Sequence, residues 1–326
     1  MTHFPAPTRI EVNGIELSVH LAGPENGQPL LLAHGWPELA YSWKNQIHVL
    51  AEAGYRVIAA DLRGYGASDC PAGVENYTVD VMVADFTGLL DALGHETAVF
   101  VGHDWGGILA WHAAMLAKNR VAGVIGVNTP HLPRPSIPPT ETFKEIGGED
   151  HYILRFQEAG YAESRFEGRE DDFFAFVFGA PPAPGQLDRL FPDATHIPKQ
   201  FGNFTGRDED RIVVSAADRK VYADAYRKSG FETGINLYRN FDANWQRMGG
   251  VDHRLKLPCL MVAADSDFML PPKLSAWMPA LCSDVDINIL EHCGHWTMWE
   301  QPDQLNALML EWLERRFPAN GSADAA

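Results

Sequence analysis

The chain has 326 residues, 46% hydrophobic and 21% charged, with a formal net charge of −17. That length suits one large domain or a domain with an insert, burying roughly 75% of the unfolded surface, and the composition excludes disordered, collagenous and coiled-coil classes. An acidic chain of pI about 5.1 repels phosphate backbones and anionic lipid surfaces, which argues against nucleic-acid and membrane partners.

Ile10–Val12 and Glu16–Leu21 read as strands joined by Asn13-Gly14, a hairpin signal. Pro29–Ala33 is wholly apolar, the pattern of a strand covered on both faces, and Ser42–Ala53 follows as a helix stopped by Gly54. Arg56–Ala60 is the next buried strand. Thr78 is placed to cap a helix that runs to Leu93 and closes at Gly94. Thr97–Val101 reads as a strand, Trp105–Lys118 as a helix and Val121–Val127 as a strand. This alternation predicts an α/β fold with a mostly parallel sheet, helices on both faces, and an antiparallel hairpin at its start.

The pattern breaks at Pro130. Prolines recur at 133, 135, 138 and 139 and again at Pro181, Pro182 and Pro184, and no buried strand returns before Cys259–Ala263. Asp286–Leu290 and an amphipathic helix, Gln304–Arg316, complete the series. Residues 130–245 are therefore expected to be a mostly helical insertion into one core built from 1–129 and 246–326. Two consecutive domains is the weaker alternative, since strands of one style flank the insert. The small, polar tail Pro318–Ala326 is expected to fray. No apolar run approaches a membrane span, and Met1–Gly14 has no apolar core or clustered positive charge, so neither a span nor a signal peptide is expected. Cys70, Cys259, Cys282 and Cys293 form no C-x-x-C pair; reduced thiols and a cytoplasmic location are the expectation.

The motif richest in chemistry is Gly102-His103-Asp104-Trp105-Gly106-Gly107, between a strand and a helix. It has the frame of the G-x-S-x-G nucleophile elbow with aspartate at the nucleophile position, and no G-x-S-x-G occurs elsewhere, which removes a serine esterase. Alone, Asp104 would equally suit a helix N-cap, and His103 reads as a histidine packed behind the site. His34-Gly35-Trp36-Pro37 closes a predicted strand, where a turn aims a backbone N–H at an oxyanion or is simply structural. Gly294-His295-Trp296 follows the last strand, in chain order for the base of a triad. Asp265 and Asp267 both qualify as its acid. Asn128, after an earlier strand, is disfavoured because an amide does not stabilise an imidazolium by charge. His292 and His295 lack a third metal ligand, Gly64-Tyr65-Gly66 fails as a dinucleotide fingerprint at Asp69, and no P-loop or HExxH occurs, so neither metal nor cofactor is expected.

Taken together, His34-Gly35-Trp36-Pro37, Gly102-His103-Asp104-Trp105-Gly106-Gly107, Asp267-Phe268 and Gly294-His295-Trp296-Thr297 resemble the epoxide hydrolases of the α/β-hydrolase superfamily, in the form without an N-terminal phosphatase domain. Two motifs in the insert carry the resemblance further: Tyr152-Ile153-Leu154-Arg155-Phe156-Gln157-Glu158, and Tyr238-Arg239-Asn240 with Asn244-Trp245. The resemblance implies an α/β-hydrolase core with a helical cap, Asp104 as nucleophile, His295 as base, and Asp267 rather than Asp265 as acid. It further implies Tyr152 and Tyr238 as cap donors, an oxyanion hole of the Trp36 and Trp105 N–H groups, and a cis Trp36–Pro37 bond. The chain departs from the family where proline often follows the Phe-Gln-Glu run; Ala159-Gly160 stands there.

These residue types fit ring opening at an sp³ carbon. A carboxylate of ordinary pKa near ~4 is ionised at neutral pH and attacks without a base, while phenols near ~10 stay protonated and donate to the leaving oxygen from the opposite side. An apolar wall is expected from Trp36, Pro37, Trp105, Phe268 and Trp296. The partners implied are a small epoxide and water. The rivals are a haloalkane or haloacid dehalogenase, whose halide needs no proton, and a binding protein that keeps the pocket and loses the chemistry.

Overall fold

The computed structural model describes residues 3–181 and 195–319. Among them, eight strands form one sheet: β1 Pro7–Val12, β2 Ile15–Ala22, β3 Pro29–Ala33, β4 Arg56–Ala60, β5 Ala98–His103, β6 Val121–Val127, β7 Cys259–Ala264 and β8 Val285–Leu290. Their order is β1-β2-β4-β3-β5-β6-β7-β8. β2 lies antiparallel to β1 and β4, and every pair from β4 to β8 is parallel. Asn13 and Gly14 turn the first hairpin with φ of 47° and 76°, as an Asn-Gly turn requires.

The apolar strand runs follow from burial on both faces. Leu31, Ile58 and Phe100 face a core shared with helices α2 (Val79–Ala92) and α3 (Trp105–Leu116). Leu30, Leu32, Val57, Val99 and Val101 face a second core with Ile47 of α1 (Lys44–Glu52), Trp43, and Trp312 of the closing helix Pro302–Arg316. β8 is the sheet edge, and Ile287 and Ile289 remain exposed there.

Three local expectations shift. The helix predicted from Ser42 begins as a 3-10 turn, Ala40–Trp43, before α1. β5 extends through Gly102 and His103, because flanking strands hold both: Ala33 pairs with Gly102 and Val127 with His103. Thr78 does stand at the N-cap of α2, but its hydroxyl makes no cap bond; the Val79 N–H is taken instead by Asn244 Oδ1 at 3.1 Å.

Between β6 and β7 the described chain is helical, from α4 (Pro139–Gly147) and α5 (Tyr152–Gln157) to Glu232–Arg239 and Phe241–Arg247, with one isolated bridge, Gly179 to Ile212, inside it. Its interior is aromatic: Phe156, Phe166, Phe173, Phe174, Phe201 and Phe231 are fully buried. Gly160 takes φ of 76° just after α5, so the Ala159-Gly160 departure is met by a glycine turn. Pro182, Pro184 and the tail from residue 320 lie outside the described residues.

Candidate active site

The carboxyl ends of β3, β5, β6, β7 and β8 converge, and the loops leaving them carry the polar residues. At the end of β5 the chain reverses through Asp104, with φ 50° and ψ −121°, directly into α3. A positive φ on aspartate costs on the order of 1–3 kcal/mol, the price of presenting the side chain outward. The reversal also leaves no room for Cβ atoms on its flanks: one on Gly102 would run into the Gly106 carbonyl, and one on Gly106 into the Ala33 carbonyl. Asp104 does stand at the N-cap of α3, but its side chain makes no capping bond there. Its Oδ1 instead accepts the Trp36 N–H at 2.8 Å. The Trp36–Pro37 bond is cis, as the resemblance implied.

His295 sits between two carboxylates. Its Nδ1 is 2.9 Å from Asp267 Oδ2, and its Nε2 is 4.0 Å from Asp104 Oδ2. Asp267 is fully buried and accepts the Met269 and Leu270 N–H groups at 2.9 and 3.0 Å. Asp265 points elsewhere, accepting the Cys293 N–H at 3.2 Å and the Ser266 hydroxyl at 2.9 Å. Asn128, set aside from the sequence, lies beside the acid: its Nδ2 donates to Asp267 Oδ2 at 2.9 Å and to the Gly294 carbonyl at 3.1 Å.

Three other histidines bind neighbouring backbone and side-chain groups. His34 Nδ1 meets the Gly35 carbonyl at 2.9 Å while its Nε2 accepts the Leu62 N–H at 3.0 Å, and burial holds its pKa below the ordinary value. His103 bridges Glu38 Oε2 at 2.7 Å and the His295 carbonyl at 2.8 Å. Glu38 also accepts the Gly35 N–H at 2.7 Å, tying the Trp36 turn to the His295 loop through buried groups. His151 caps α5 by accepting the Ile153 N–H at 3.2 Å and stacks on Tyr152.

Above Asp104 lies a cavity of about 350 Å³. Asp104 and His295 line one side; Tyr152 of α5 and Tyr238 of the helix Glu232–Arg239 line it from the insert. Trp36, Pro37, Phe268 and Trp296 belong to its wall. The Trp105 ring, also expected there, packs against Tyr238, 5.1 Å between centroids, and against Phe241. The wall is also more polar than expected, since Gln200, Arg207, Arg211 and Glu300 line it as well.

Electrostatics follow from this burial. Desolvation raises the Asp104 carboxyl above its ordinary value, opposed by His295, His103 and the Trp36 and Trp105 N–H groups. The ordinary pKa assumed from the sequence therefore does not hold. Burial lowers His295, but the Asp267 charge and hydrogen bond, with Asp104, outweigh it and raise the imidazole to about 9. Burial, then charge, holds both Tyr152 and Tyr238 well above the phenol range, with Asp104 contributing to each.

The family model for the alpha/beta hydrolase fold matches residues 28–302. Epoxide hydrolase A of Mycobacterium tuberculosis is 36% identical over 94% of this chain and 98% of its own. The chain belongs to the epoxide hydrolase family of the α/β-hydrolase fold. It is also 37% identical to bifunctional epoxide hydrolase 2 of Sus scrofa over 91% of this chain, and spans only 53% of that longer protein. The crystal structure of epoxide hydrolase A from Mycobacterium thermoresistibile superimposes with a TM-score of 0.84 at 33% identity, covering 95% of this chain and 98% of that one. The mostly parallel eight-stranded sheet among the described residues agrees with that fold.

At this site Glu38 and Glu300 escaped the sequence reading, and Asn128 was weighed only as an acid and set aside. Glu38 meets His103 and Asn128 meets Asp267 across long stretches of chain, while Glu300 accepts N–H groups four and six residues before it, at a spacing that carries no motif. Among the described residues no cluster of three or more metal-ligating side chains occurs, and no helix is long and apolar enough to cross a membrane.

Proposed function

We propose that the protein hydrolyses epoxides to vicinal diols in two steps through an ester on Asp104, with residues 130–245 acting as a cap over the core. The observation that carries this reading is that Asp104, from the core, and Tyr152 and Tyr238, from the insert, line one cavity.

In the first step an Asp104 oxygen attacks a ring carbon and the C–O bond on its far side breaks. The leaving alkoxide is a far stronger base than a phenolate, so it takes a proton from Tyr152 or Tyr238. Their raised pKa keeps them protonated beforehand. His295, cationic below about 9, returns a proton to the phenolate and becomes neutral. Esterification also removes the Asp104 charge that helped to hold His295 protonated, so the intermediate itself favours the basic form.

In the second step neutral His295 takes a proton from water, and the water oxygen adds to the Asp104 ester carbonyl. Asp267 stabilises the imidazolium formed. The Trp36 N–H, already on Asp104 Oδ1, and the Trp105 N–H face the developing oxyanion. Collapse expels the diol oxygen, which takes the remaining proton of the added water, so that Asp104 is left ionised and His295 cationic.

A dehalogenase would need no acid on the cap wall, whereas two phenols stand there. The test is a panel of aliphatic and aryl epoxides beside haloalkanes, with diol and halide both measured. Diol from epoxides without halide release is the expected result; halide alone would overturn the reading.

A further inference from the structure

Resting on the two-step reading above, we propose that Glu300 is a positioning residue for ester hydrolysis, holding His295 by gripping the peptide N–H on each side of it. Glu300 Oε2 accepts the Gly294 N–H at 2.7 Å, and Oε1 accepts the Trp296 N–H at 2.9 Å. Between those two points the His295 carbonyl is taken by His103 Nε2 at 2.8 Å, and the preceding Gly294 carbonyl by Asn128 Nδ2 at 3.1 Å. Side chains therefore clamp the backbone immediately before, at and after the base.

The clamp is needed because the local chain does not hold itself. His295 stands in the loop between the end of β8 at Leu290 and a helix of only four residues, Thr297–Glu300. A helix of one turn is too short to be stable by its own hydrogen bonds. The base must nevertheless address a water and the Asp104 carbonyl within a few tenths of an ångström.

Glycine at 294 serves the same contact. A Cβ there would lie 2.9 Å from Glu300 Oε1 and 3.0 Å from Oε2, inside normal packing distance. The missing side chain in Gly294-His295-Trp296 thus lets the carboxylate reach across the loop.

Glu300 also lines the cavity, and burial raises its pKa, opposed by the two N–H groups and by the charge on His295. Ring opening relies on Asp104 and the tyrosines, none of which Glu300 holds. Its loss therefore weighs on the second step, where His295 must be aligned with both water and the Asp104 carbonyl; the first step asks of His295 only the proton returned to the phenolate after the ring has opened.

The experiment measures ester formation and ester breakdown separately, by rapid mixing and quench with an epoxide that the wild-type protein turns over, in wild type, Glu300→Ala and Glu300→Gln. For Glu300→Ala we expect ester formation within about twofold of wild type and breakdown about tenfold slower or more. The ester then accumulates, and kcat and KM fall together while kcat/KM is kept. Glu300→Gln keeps one acceptor oxygen and sets an NH2 donor against the other N–H, so it falls between the two; it also carries the test should the alanine variant fail to fold. Breakdown at the wild-type rate in a folded variant would overturn the proposal. So would an equal fall in both steps, which marks a general structural role. Absence of any ester in the wild type would instead remove the two-step reading itself.

Discussion

The rings of Tyr152 and Tyr238 meet edge to face, 5.6 Å between centroids at an interplanar angle of 74°, in the wall of the cavity that Asp104 also lines. They come from two separate helices of the insert, and Trp36, at the tip of the β3 turn, packs 5.6 Å from Tyr238. The two phenols of the insert are thus packed against the core turn whose Trp36 N–H reaches Asp104.

Replacing both tyrosines by phenylalanine should abolish ring opening, and either single change should slow it by about 10²-fold, the scale of one positioned acid. Burst measurement of ester formation checks this. Unchanged formation in the double variant would remove the phenols as donors.

Asp104→Ala should form no diol. In single turnover in ¹⁸O-water, label should enter Asp104 before it appears in later rounds of diol, because water attacks the enzyme's carbonyl carbon. Label in the first diol released would mean that water opens the ring directly.

His295→Gln should open the ring and then stall, leaving a protein heavier by one substrate in intact-mass measurement. Steady turnover at the wild-type rate would exclude His295 as the base.

The His295 pKa also shapes stability against pH. Its folded value of about 9 exceeds the unfolded value near ~6.5, so its contribution is complete below the unfolded value and is lost as pH rises from there through about 9. Asp267 behaves oppositely: burial raises it, but His295 and its hydrogen bonds outweigh that and hold it low, so its contribution disappears as pH falls through that depressed value. Thermal unfolding from pH 6 to 10 should show Tm declining across the upper window, with a flatter profile in His295→Gln. An identical slope in both proteins would contradict the assignment.

Asn244→Ala should destabilise the fold by about 1 kcal/mol, since the buried Val79 N–H loses its acceptor. Thr78→Ala should cost less than the ~1 kcal/mol of an ordinary cap, because the Thr78 hydroxyl caps nothing. Urea unfolding of the two variants distinguishes them, and the reverse ranking would be the contrary result.

By itself, the sequence determined whatever depends on local periodicity and local sterics. Apolar runs such as Pro29–Ala33 announced strands buried on both faces. Asn13-Gly14 announced a hairpin, and the small residues around Asp104 announced an elbow whose glycines the packing leaves no room to replace. The motif resemblance, being residue by residue, reached Asp104, Asp267, His295 and the two tyrosines. Only the tertiary structure decided what rests on approach between distant segments. It brought Asn128 onto Asp267, linked Glu38 through His103 to the His295 loop, and put Asn244 rather than Thr78 on the start of α2. It also packed the Trp105 ring on Tyr238 and Phe241 and raised the Asp104 carboxyl above its ordinary range. Those outcomes depend on distance and desolvation, which arise only once the chain has folded around each group.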